Sequence, residues 1–167
     1  FDMGMVDELL FIKKFREKKA EKHMLRTRLD LQQAHHRQEK ADDDLQVFRI
    51  HAEQEEIRWY EQLCSRVVKP REILSVQEDV AGLRAKEANL AVTLEQAFAD
   101  HKIAQQHYAT AADQHRMATA AKNKFIEVAQ SLQAEEARER ERIEELELEE
   151  VAGQLRPTGF FEENGRV

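Results

Sequence analysis

From Ile73 onward, apolar residues recur in steps of three and four: Val76, Val80, Leu83, Leu90, Leu94, Ala97, Ala104, Tyr108, Ala111, Ala118, Phe125, Ala129 and Leu132. Four slots of the same frame are polar, namely Glu87, His101, His115 and Lys122. A spacing that averages about 3.5 residues predicts a helix whose apolar seam faces another helix along its length. A seam sustained over roughly sixty residues describes a rod and not the inside of a globule, which points to scaffolding or mechanical work.

A second seam keeps the rhythm upstream, through Met24, Thr27, Leu31, Ala34, Gln38, Ala41, Leu45, Phe48, Ala52, Glu55, Trp59 and Gln62. From Val6 to Cys64 there is neither Gly nor Pro, so nothing interrupts a helix. Glu17 and Glu21 beside Lys18 and Lys22, and Glu135 and Glu139 beside Arg138 and Arg142, are expected to keep the outer faces wet. The break comes at Ser65-Arg66-Val67-Val68-Lys69-Pro70. Pro70 suits a first helical position, while Ser75-Val76-Gln77-Glu78 has the form of a capping box, so two starts for the second helix stay open. Either start leaves a short connection, and short connections between long helices give antiparallel hairpins.

The expected fold is therefore all-α: two long helices forming an antiparallel coiled-coil hairpin over residues 1–152. Helix 1 is placed at about 6–64, a tip loop at about 65–71 and helix 2 at about 72–151, with a flexible C-terminal tail over 153–167. Gly82 is the interior weak spot, and Gly153 with Pro157 and Gly159 predicts the end of the second helix. At about 1.5 Å per residue the helices span roughly 90 and roughly 115 Å, so the second overhangs the free end through Ala134–Glu150, a stretch made almost entirely of Glu and Arg. If the chain folds back near Val68, facing positions sum to about 136 and polar slots find partners. Glu87 then faces Arg49, His115 faces Glu21 and His101 faces His35, which is how antiparallel coiled coils fix alignment.

Composition agrees with long helices: of 167 residues, 35% are charged, 7% are aromatic, five are Gly and two are Pro. The net charge of −7 comes from 33 acidic and 26 basic residues of mixed order, which argues for solvated helix faces and against a nucleic-acid partner or a membrane-bending arm. A single cysteine, Cys64, forms no intrachain disulfide and suits a reducing compartment. No run of about 18 apolar residues occurs, so no membrane insertion is expected. The opening turns basic and polar by Lys13, which predicts no signal peptide. Phe1-Asp2-Met3-Gly4 is unlike a natural start, and the native chain is expected to open near Met5.

Candidate chemistry is sparse. The seven histidines are His23, His35, His36, His51, His101, His107 and His115, and no two share the i, i+4 spacing that zinc favours on one helix. A site built from His35 or His36 with His101 across the seam is conceivable, but the plainer reading is register-setting seam residues and solvated rings, so no metal and no cofactor are assigned. No phosphate-binding glycine loop and no nucleophile elbow are present, and no cleft would activate Cys64. The chain is not expected to be an enzyme. The densest basic patch, Lys13, Lys14, Arg16, Lys18, Lys19, Lys22, Arg26 and Arg28, is either a solvated face balanced by Glu144, Glu145, Glu147, Glu149 and Glu150 or a dock for an acidic partner. Trp59, Tyr60, Leu63, Val67, Val68, Ile73 and Leu74 make the tip the most apolar part of the chain; they either cap the seam or bind a partner.

The opening Leu9-Leu10-Phe11-Ile12-Lys13-Lys14-Phe15-Arg16-Glu17-Lys18-Lys19-Ala20-Glu21-Lys22 resembles the start of the YscO (SctO) stalk proteins of bacterial type III secretion, whose flagellar counterpart is FliJ. Trp59-Tyr60-Glu61-Gln62-Leu63, Val68-Lys69-Pro70-Arg71-Glu72-Ile73, Val80-Ala81-Gly82-Leu83-Arg84 and the acidic close from Ala134 to Glu150 carry the same likeness over nearly the whole chain. It implies a cytoplasmic hairpin at the cytoplasmic face of the secretion apparatus, similar to the coiled-coil stalk of rotary ATPase γ subunits. Its free end would enter a hexameric secretion ATPase and stimulate hydrolysis, and its other end would reach the export gate protein. Secretion chaperones and the needle-length regulator are further implied partners. Carried onto this chain, the ATPase-facing candidates are Lys13, Lys14, Arg16, Lys19, Arg138, Arg140 and Arg142, and the gate-facing candidates are Leu63, Val67, Ile73 and Leu74. The Phe160-Phe161 tail lies outside the likeness and has no assigned role.

The alternative from another class is a self-associating coiled-coil scaffold or tether without an ATPase partner. Ala97, Ala104, Ala111 and Ala118 pack closely and leave little for a third helix, so a monomer is expected for the free protein.

Overall fold

The structure, a computed structural model, describes residues 3–155. It is an all-α helical hairpin of two helices, α1 (Met3–Cys64, 62 residues) and α2 (Pro70–Leu155, 86 residues). The Phe160-Phe161 tail lies outside the described residues. Helix α1 starts three residues before the expected position. Helix α2 starts at Pro70, so Ser75 lies inside it and caps nothing. Pro70 takes the first turn because its missing amide is one that no helical carbonyl would accept there, and Glu72 in that turn offsets the positive end of the helix dipole. Gly153 does not end α2, which runs on to Leu155. A glycine weakens a helix by about 1 kcal/mol but stops it only by turning left-handed.

The chain divides into two compact units, one of Arg16–Ala118 and one of Phe1–Phe15 with Thr119–Val167. In the Arg16–Ala118 unit, α1 turns Met24, Thr27, Leu31, Ala34, Gln38, Ala41, Leu45, Phe48, Ala52, Glu55 and Trp59 inward, as the three-and-four spacing predicts. Leu63, not Gln62, closes the row. The facing row on α2 runs from Val76 through Leu83, Leu90, Ala97 and Tyr108 to Ala118. The seam is thin: the buried apolar residues there are Ala34, Ala41, Leu45, Ala52 and Ala111. Alanines let two backbones approach, so stability accumulates from many small burials and not from a few large side chains. Thr27 is buried, and its hydroxyl donates to the Met24 carbonyl at 2.8 Å, which satisfies it within its own helix.

The register follows the sum of 136 at two of the three expected pairs, and at the third His115 meets Glu17 at 3.4 Å, one turn before the expected Glu21. Arg49 Nε donates to Glu87 at 3.0 Å, and the rings of His35 and His101 stack at a tilt with centroids 5.3 Å apart. Arg84 reaches Glu56 at 2.8 Å, and Lys86 Nζ lies 5.1 Å from the centre of the Phe48 ring. At the tip, the Ser65 amide donates to the Glu61 carbonyl and the Glu72 amide to the Lys69 carbonyl, at 3.1 and 3.0 Å, closing α1 and opening α2.

In the other unit the same frame buries Val6 on α1 and Ala129 on α2, with Leu10, Lys13, Phe125, Leu132 and Glu136 half-buried. From Ala137 to Leu155 every residue is exposed, Ile143, Leu146, Leu148 and Val151 among them.

Candidate functional site

The sequence singles out two groups of residues. The first is the tip. A turn of five residues, Ser65–Lys69, cannot fold back far enough to cover the end of the seam, so apolar side chains stay in solvent there. Val67 is fully exposed, Leu74 is 59% exposed and Ile73 is 41% exposed, while Leu63 is half-buried at the end of its row. Trp59 is half-buried in the seam row, one turn before Leu63. An ion pair between Arg66 and Glu72 at 3.9 Å spans the turn, and Cys64 is exposed beside it. The tip can therefore offer a small apolar knob with a polar rim, which suits a protein partner.

The basic candidates belong to different units. Arg16 and Lys19 belong to the Arg16–Ala118 unit; Lys13, Lys14, Arg138, Arg140 and Arg142 belong to the other. Lys14, Arg16 and Lys19 are exposed, and none pairs with an acidic group among the described residues. Lys13 is half-buried, because it falls on the inward row of α1. A lysine at such a position can lay its aliphatic stem on apolar surface and keep its ammonium in water. Arg140 pairs with Glu136 at 3.5 Å and Arg142 with Glu139 at 2.7 Å, so both arginines are already engaged on their own helix.

Sequence reasoning missed a feature of this region. Phe11 is 72% and Phe15 is 60% exposed, with Leu9 and Ile12 also in solvent, so α1 mixes bare aromatic surface with its lysines before Arg16. The signal was the Leu9–Phe15 run itself, in which apolar residues outnumber the two that the inward row can take. Glu17, expected on a wet outer face, has only 15% of its side chain exposed. It occupies the inward row one turn after Lys13 and reaches His115.

Glu87 shows the electrostatics of the seam. Its carboxyl is held below its ordinary value of 4.5, chiefly by the hydrogen bond from Arg49 and further by Arg84, against the opposing effect of burial.

No helix among the described residues is long and apolar enough to cross a membrane. The arrangement defines an all-α helical hairpin protein. The chain belongs to the family described as type III secretion protein YscO, which it matches over residues 6–154. Its fold is similar to that of the crystal structure of type III secretion protein YscO from Vibrio parahaemolyticus. The two share 25% identity and superpose with a TM-score of 0.82 over 89% of this chain and 93% of that one. No curated protein matches the chain.

Proposed function

We propose that this protein is the central stalk of the bacterial type III secretion ATPase complex, working at the cytoplasmic face of the secretion apparatus. The observation that carries the reading is a family match running through both helices and the tip, residues 6–154. A hairpin whose inward frame continues in each unit supports a mechanical role. Its scarcity of large buried side chains supports it too, since the helices hold each other by continuous contact along the seam.

In this reading Lys14, Arg16 and Lys19, with Lys13, Arg138, Arg140 and Arg142, meet the hexameric ATPase. Exposed cations give a ring something to attract without locking it in place, since screened surface pairs are worth at most about 1 kcal/mol each. Phe11 and Phe15 add apolar contact on the same stretch of α1. Val67, Ile73 and Leu74, supported by Leu63, meet the export gate protein. Secretion chaperones and the needle-length regulator are further partners, and the chain acts on hydrolysis without catalysing it.

Co-elution with the purified cognate ATPase tests the docking end. Complex formation that weakens with salt and is lost in Lys14→Glu/Arg16→Glu/Lys19→Glu supports it. Undiminished binding by that variant would move the contact elsewhere.

A further inference from the structure

The seam carries a cluster that the docking surfaces do not use. Glu17 and Glu21 stand at i, i+4 on α1, and His115 reaches them from α2. Their nearest ligand atoms all lie within 4.8 Å of one another. His115 Nε2 is 3.4 Å from Glu17 Oε1, and the two side chains are only 24% and 15% exposed. Glu21 is exposed and makes no ion pair with any described residue.

We propose that Glu17, Glu21 and His115 form a binding site for a divalent first-row transition metal ion of the Zn2+ type, joining α1 to α2. The geometry suits such an ion. With metal–ligand distances of about 2.1 Å, two ligands of a tetrahedral zinc sit about 3.4 Å apart, the separation found between His115 Nε2 and Glu17. Glu21, one turn along, has a carboxylate oxygen within 4.8 Å of the other two ligand atoms. One imidazole nitrogen and two carboxylate oxygens form a mixed donor set that zinc accepts, and the remaining coordination positions open to solvent beside Glu21. The chemistry also fits the place. His115 fills a slot of the inward frame where Ala111 and Ala118 stand on either side, so its ring is held and little rotamer entropy remains to be lost on binding. Two carboxylates of like charge one helical turn apart repel, and a cation between them removes that repulsion. Such a site is hidden from a search for histidine pairs on one helix, because its donors come from two helices and only one is a histidine.

The test is titration of the full chain with Zn2+ alone by calorimetry, repeated with Co2+ for its visible absorption and followed by thermal unfolding with and without the metal. Stoichiometric binding of one ion per chain is expected, with a raised melting temperature. His115→Ala and Glu21→Gln are each expected to weaken it at least about tenfold, since even outer-shell partners contribute that much. His35→Ala/His36→Ala is expected to bind as the parent does. Both test variants should fold, because alanine is the ordinary residue of the seam and Glu21 is exposed; far-UV circular dichroism checks this. Binding that survives His115→Ala, or no one-to-one binding in the folded parent, would overturn the site and leave His115 and Glu17 as a register contact only.

Discussion

Arg49 on α1 and Glu87 on α2 meet across the seam, with Arg49 Nε 3.0 Å from Glu87 Oε1. Glu87 fills a slot of its row that Val80 and Leu94 take one heptad earlier and later, and Arg49 reaches it from the exposed flank of the α1 row. A slip of either helix by one heptad would set Glu87 opposite Asp42 or Glu56 in place of Arg49, so the contact selects alignment more than it adds stability. Arg49→Glu and Glu87→Arg should each lower the melting temperature, and the double exchange should recover most of the loss. Thermal unfolding of the four proteins checks this; additive losses would show that the pair does not set the register.

The same pair gives a pH dependence of known sign. The Glu87 carboxyl is depressed in the folded chain, first by the Arg49 hydrogen bond and then by Arg84, so folding favours its ionised form. Its contribution is present above the ordinary value of 4.5 and is lost as pH falls through the lowered folded value. The difference in melting temperature between the parent and Glu87→Gln should therefore be largest near neutrality and shrink below pH 4.5. A difference that grows on acidification would contradict this cause.

Leu45 is 2% exposed and is the largest of the buried apolar residues between the helices of its unit. Leu45→Ala should destabilise by about 2–4 kcal/mol, because a seam of alanines on fixed helices cannot collapse around the space left behind. Urea unfolding would show a lowered midpoint with little change in slope.

Gln38 lies in the inward row, and its side-chain oxygen is buried without a hydrogen-bond partner among the described residues. An unsatisfied buried carbonyl costs about 1–3 kcal/mol, which leucine at the same position would relieve. Gln38→Leu should raise the melting temperature, with each kcal/mol worth about 2–4 °C in a chain of this size. No rise would mean that Gln38 finds a partner in solution.

Gly82 is helical, exposed and in open space, with nothing within 4 Å of where a Cβ would stand. Gly82→Ala should stabilise α2 by about 1 kcal/mol, since alanine orders at less entropic cost and clashes with nothing. Hydrogen exchange around Val80–Arg84 would slow accordingly.

Much of the fold was legible because a two-helix seam is written one residue at a time. From Met24 to Trp59 each inward position follows from the one before by a step of three or four, and the sum rule pairing Arg49 with Glu87 and His35 with His101 needed only the position of the turn. The helix ends were less legible. Pro70 and Ser75 both carry start signals, and the choice between them depends on how tightly the turn after Cys64 closes. Gly153 carries a stop signal that acts only if its backbone turns left-handed. The inward position of Glu17 escaped because the α1 frame was begun at Met24; carried back through Ala20, it reaches Glu17, Lys13, Leu10 and Val6. Docking surfaces are the least legible part, since exposed lysines and leucines look alike whether or not a partner covers them.

The stalk reading stands or falls most directly on ATP hydrolysis by the purified cognate secretion ATPase, measured with and without this protein over a range of salt. Stimulation is expected that declines with salt and disappears in the Lys14→Glu/Arg16→Glu/Lys19→Glu variant while its helicity is retained. Unchanged hydrolysis in the presence of the folded parent, together with a dimer or tetramer mass by light scattering, would contradict the stalk and identify the hairpin as a self-associating scaffold.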